Sequence, residues 1–118
     1  MKIDQAIIAF SQSEKVKTGI IWVSQCLDRL QGFKGDEKKG SELTIHLLLN
    51  MIGHEIDLAR KMTDDKDWEE IQPHLERALV MFDSGVGPES GFHLSKALSK
   101  VTNIGQRSME YLESQGLL

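Results

Sequence analysis

Three of the four histidines in this 118-residue chain have a glutamate four positions upstream: Glu42 and His46, Glu70 and His74, Glu89 and His93. On a helix that spacing sets both side chains on one face, within reach of each other. An imidazole beside a carboxylate can ligate a metal ion, pass a proton or handle a phosphoryl group. Helical bundles with carboxylate-bridged metals combine these residue types through Glu-x-x-His on two helices plus two further inward glutamates. Each pair here is spaced one residue longer, and His54 has no such partner. Glu42, His46, Glu89 and His93 are therefore the candidate polar site for metal or phosphate handling. The reading that needs no ligand is a set of solvated pairs at helix edges, and on it no cofactor is expected.

The segment His93-Leu94-Ser95-Lys96-Ala97 resembles, over five residues, the His-x-x-Lys-Gly pattern of the histidine phosphotransfer domain family, with Ala97 where the family has glycine. The resemblance implies a phosphoryl-accepting His93 on a small helical bundle, its site kept cationic by Lys96. A weaker internal echo links His74-Leu75-Glu76-Arg77-Ala78-Leu79 to His93-Leu94-Ser95-Lys96-Ala97-Leu98, 19 residues later. Two unequal copies are too few for a solenoid, so the echo reads as two helices with the same facing pattern. Nucleophilic catalysis has little support: there is no Gly-x-Ser-x-Gly elbow, no phosphate-cradling glycine loop ending in Lys-Ser/Thr and no Cys-x-x-Cys. The lone Cys26 forbids a disulfide within the chain, fits a reducing compartment, and is expected to pack as a small hydrophobe. The chain is read as a non-enzyme.

Composition narrows the partners. Fourteen Lys and Arg against 18 Asp and Glu give 14 − 18 = −4, the wrong sign for binding a phosphate backbone, so no nucleic acid is expected. No stretch approaches 18 uninterrupted apolar residues, and Asp4 stands where a secretory signal would begin its apolar run. The expectation is a cytoplasmic protein without membrane contact, folded as one domain over residues 1–118 with 40% hydrophobic content for one core.

The elements that must position these residues are helices, because strand signals are absent. Ser11-Gln12-Ser13-Glu14 has capping-box form, so the first long helix is expected to start after Ser11 and run to about Gly32 with Val16, Ile20, Val23, Leu27 and Leu30 inward. Ile3, Ile7 and Phe10 lie roughly 140° from that stripe, which predicts a break and a short separate helical segment over 3–10. The charged run from Gly32 to Gly40 reads as a loop. A second helix is expected from Ser41 to about Met62. A third begins at Asp64, Asp65 and Asp67, carries Trp68, Ile71, Leu75, Ala78, Leu79 and Phe82, and ends at Ser84-Gly85, with Pro73 kinking it or preceded by a short turn. The fourth starts near Pro88 or Ser90 and carries Leu94, Leu98, Val101, Gly105, Ser108 and Leu112 toward Gly116. Helices of this length joined by short turns predict an all-α, antiparallel, up-down four-helix bundle. Gly105, on the inward stripe of its helix, predicts close helix approach.

The second helix breaks the amphipathic rule. Ile45, Leu48, Leu49, Ile52 and Ile56 form an inward stripe, yet Leu43, Leu47, Met51 and Leu58 project from nearly the opposite side. A helix apolar on two sides needs cover on two sides. The candidates are the 3–10 segment, a sunken position between neighbouring helices, or a second copy of the chain. Trp22 also points away from its own stripe and suits an interface. Leu43, Leu47, Met51, Leu58 and Trp22 are thus the candidate interface, and the expected function is protein contact, as a homodimeric adaptor, chaperone-like or regulatory protein. The alternative is a metal-binding or phosphoryl-relay protein using His46 and His93.

Overall fold

The apolar stripes fold into four helices: α1 (Ile3–Leu30), α2 (Gly35–Thr63), α3 (Asp67–Asp83) and α4 (Gly87–Ser114). They are described by a computed structural model covering residues 1–118. Each helix packs on its neighbours in the chain and α4 closes onto α1, whereas the diagonal pairs α1/α3 and α2/α4 do not touch. The result is a four-helix bundle measuring 53 × 22 × 19 Å. Residues that meet between neighbours pair in reversed order: Gln12 with Glu55 and Gly19 with Ile52, His46 with Asp83 and Arg60 with Glu69, Ser90 with Ala78 and Lys100 with Glu70.

The inward stripes are largely those that the 3.6-residue period requires. Val16, Ile20, Val23 and Leu27 meet Ile45, Leu49, Ile52 and Ile56, together with Trp68, Ile71, Leu75, Ala78, Phe82, Leu94 and Val101. Leu30, Leu48, Leu79 and Leu98 pack at the edge of this core. Each large side chain withdrawn from water contributes roughly 1.5–3 kcal/mol. No helix is long and apolar enough to cross a membrane.

The break expected near Ser11 is absent: α1 runs unbroken from Ile3, and residues 3–10 are its first turns rather than a separate segment. The buried stripe continues backwards from Val16 through Ser13, Ala9 and Ala6, while Ile3 and Ile7 face solvent. Small residues carry the stripe because α4 comes close. A Cβ placed on Gly105 would stand 2.5 Å from the Ser13 Oγ, so the close approach predicted at Gly105 is realised. The Ser13 hydroxyl donates to the Phe10 carbonyl at 2.8 Å, which leaves no polar group unpaired in that contact. Ser11 lies exposed inside the helix and is not its N-cap.

The other boundaries also move. Most of the run read as a loop, from Gly35 to Gly40, is the start of α2. Gly35 turns the chain at φ +60°, and Asp36 and Glu37 then sit in the first turn, where carboxylates meet the positive end of the helix. Asp64 does not open α3; it ends α2 in the left-handed conformation at φ 52°. The Asp65 carboxylate then accepts from the Asp67 amide at 2.9 Å, and α3 continues through Pro73 without interruption. Pro88 stands in the first turn of α4 as expected.

Candidate protein-contact surface

The core stripe of α2 turns Ile45, Leu49, Ile52 and Ile56 inward, so the residues half a turn away must face out. Leu43, Leu47, Met51 and Leu58 do so, and with Trp22 on α1 they are between 45% and 65% exposed. The first turns of α1 give them no cover, since Ile3 and Ile7 are themselves exposed, and α2 is not sunk between its neighbours. Two of the expected covers are thereby removed. Met62, four residues beyond Leu58 and also exposed, extends the stripe by one more turn. It was missed because the reading of α2 stopped there, although its spacing from Leu58 was visible in the sequence.

Trp22 and Met51 line one groove of about 540 Å³ between α1 and α2, with Leu48 and Val23 also in its wall. Gly19 narrows α1 at this level: a Cβ there would come within 3.2 Å of Ile52, so the glycine keeps the two helices close. Glu55 stands at the same groove with both carboxylate oxygens engaged, by Gln12 Nε2 at 3.0 Å and Lys15 Nζ at 3.0 Å. These two hydrogen bonds hold its carboxyl below the usual glutamate range, the Gln12 bond most of all. A second groove of about 660 Å³ continues past Leu48 to Phe33 and Cys26. Cys26 is exposed, contrary to the expectation that it packs into the core. It lies one residue before the buried Leu27, where the helical phase turns it outward.

The polar candidates take other partners. His46 Nδ1 lies 3.0 Å from Asp83 Oδ1 at the far end of α3, so its partner is not Glu42. Glu42 is half-buried and Glu89 exposed. His46 on α2 and His93 on α4 belong to diagonal helices that do not touch, so the bundle does not bring them together. The neighbour of His93 is instead His74, across the α3–α4 seam. No group of three or more His, Cys, Asp or Glu is disposed to hold a metal ion. Sequence spacing could suggest pairs within one helix, but the His46–Asp83 and His74–His93 encounters depend on interhelix register. No protein-family model, no curated protein and no solved structure matches the chain.

Proposed function

We propose that the chain is a non-enzymatic cytoplasmic protein that works by protein contact, as a homodimer formed through the outward face of α2 with Trp22 at its edge. The observation that carries this reading is the uncovered apolar face of Leu43, Leu47, Met51, Leu58, Met62 and Trp22. Taking roughly 200 Å² for a fully exposed large side chain, their exposed fractions amount to about 670 Å² per chain. A monomer's largest apolar patch is typically about 300–600 Å², and a stable interface buries roughly 800 Å² per partner.

A second copy is favoured over an unrelated partner by the symmetry of the stripe. Leu43 and Leu47 stand as far before the Ile52–Gly53 junction as Met62 and Leu58 stand after it. A two-fold axis through that junction would set Leu43 against the partner subunit's Met62 and Leu47 against the partner subunit's Leu58, the self-complementary arrangement that a C2 interface requires. A homodimeric adaptor or regulatory role follows from this reading.

Leu47→Glu tests it. Leu47 has about 110 Å² exposed, counted twice in a symmetric dimer, so its loss removes about 5 kcal/mol of burial before any charge is desolvated. The expected outcome by light scattering is a monomer with unchanged helical content and melting temperature. An unchanged molar mass would refute the interface.

A further inference from the structure

The internal echo between α3 and α4 acquires a location in the fold. The pairs Ser90 with Ala78 and Lys100 with Glu70 bracket His74 on one side of the seam and Ser95 on the other. The two copies therefore face each other about their own middles. Leu75 and Leu94 are buried, as are Ala78 and Ala97, while His74 and His93 are half-buried at the seam and Arg77 and Lys96 are exposed beside it. Each helix thus contributes one His-x-x-Arg or His-x-x-Lys unit, and Lys100 adds a further cation.

Four positively charged or protonatable groups, Lys100, Arg77, Lys96 and His93, act on His74, and together with burial they hold its imidazole below the usual histidine range. Neither Arg77 nor Lys96 is paired with a carboxylate; Lys96 Nζ stands 4.5 Å above the Phe92 ring, and only Lys100 has an acid at hand, Glu70 at 3.3 Å. In a chain of net charge −4 this is a local reversal of sign. The imidazoles add a second observation. His74 Nδ1 and His93 Nδ1 are two of only three buried side-chain polar atoms without a hydrogen-bond partner. A buried N–H without an acceptor is costlier than a bare lone pair, so each ring is best accommodated with its proton on Nε2. That tautomer leaves both Nε2–H groups as donors and removes Nε2 as a nucleophile in the neutral ring. Divalent cations do not suit the seam, because the surrounding charges repel them.

We infer that the α3–α4 seam is an anion-binding site for a free phosphate or small phosphomonoester, held by His74, Arg77, His93, Lys96 and Lys100. A dianion there satisfies the unpaired cations and accepts from both imidazoles, which is the strong, charge-assisted class of hydrogen bond. The site is independent of the α2 face.

Inorganic phosphate, titrated into the intact protein at constant ionic strength with chloride as the balancing anion, is the probe. The expected result is a saturable shift of the His74 and His93 imidazole resonances, a rise in the His74 pKa, and little change at His46 or His54. Arg77→Ala, at an exposed position, is expected to weaken binding about tenfold while leaving the melting temperature unchanged. Equal, non-saturating shifts at all four histidines, or binding unaltered by Arg77→Ala, would overturn the assignment. Binding of anionic lipid vesicles without response to inorganic phosphate would likewise count against a free-phosphate site.

Discussion

Gly105→Ala is the sharpest test of how α1 and α4 meet. Elsewhere in a helix interior the change would stabilise by about 1 kcal/mol through backbone propensity. Here the new methyl would stand 2.5 Å from Ser13 Oγ and 3.3 Å from Ser13 Cβ, so the serine must rotate and the helices must part slightly. Rotation breaks the 2.8 Å bond to the Phe10 carbonyl and leaves a buried hydroxyl seeking a partner, a cost of about 1–3 kcal/mol. Overpacking adds about 1–3 kcal/mol. Set against the propensity gain, the net loss is about 2 kcal/mol, or roughly 8 °C in Tm for a domain of this size. Urea denaturation with an unchanged m value measures it. Ser13→Ala in the same chain removes the clashing oxygen and is expected to recover about half the loss, a coupling near 1 kcal/mol. Gly105→Ala as stable as the wild type would refute the close approach.

Three further predictions follow from single contacts. Ser11→Ala is expected to leave stability unchanged or raise it by up to about 0.5 kcal/mol, because Ser11 lies inside α1; a loss near 1 kcal/mol in chemical denaturation would restore it as a cap. His74 has a folded pKa below its unfolded value, so the unfolded chain takes up the proton first: stability is full above the unfolded pKa of about 6.5 and falls as pH drops below it, until the folded pKa is passed. His74→Gln should flatten that part of the stability–pH curve, and an unchanged slope would show that His74 does not cause it. Trp22→Ala, at a site 65% exposed, should alter monomer stability by less than about 0.5 kcal/mol yet weaken self-association at least tenfold, checked by dilution in sedimentation equilibrium.

Much of the bundle was legible in the sequence because large apolar residues recur at helical spacing: Ile45, Leu49, Ile52 and Ile56 needed nothing else to reveal their face. What misled was size. Along α1, Ile3, Ile7 and Phe10 drew the eye to a stripe that faces largely away from the core, while Ala6, Ala9 and Ser13 carry the true one, since an α4 held close by Gly105 leaves room only for small side chains. The start of α2 was hidden for a related reason. Gly35 to Gly40 touches no core, and its helix is propagated outward from the packed segment after Ser41, where each added residue costs little once the helix is nucleated. The outward face of α2 was legible in full up to Leu58, being a matter of phase within one helix. The facing of His74 and His93 was not, because it depends on the register between α3 and α4.

The molar mass of the wild-type protein in solution tests the central claim most directly. Light scattering at micromolar concentration is predicted to give twice the 13.3 kDa of the chain, falling toward that value only on strong dilution. A mass of 13.3 kDa throughout the micromolar range would contradict the dimer and leave the α2 face without its proposed occupant.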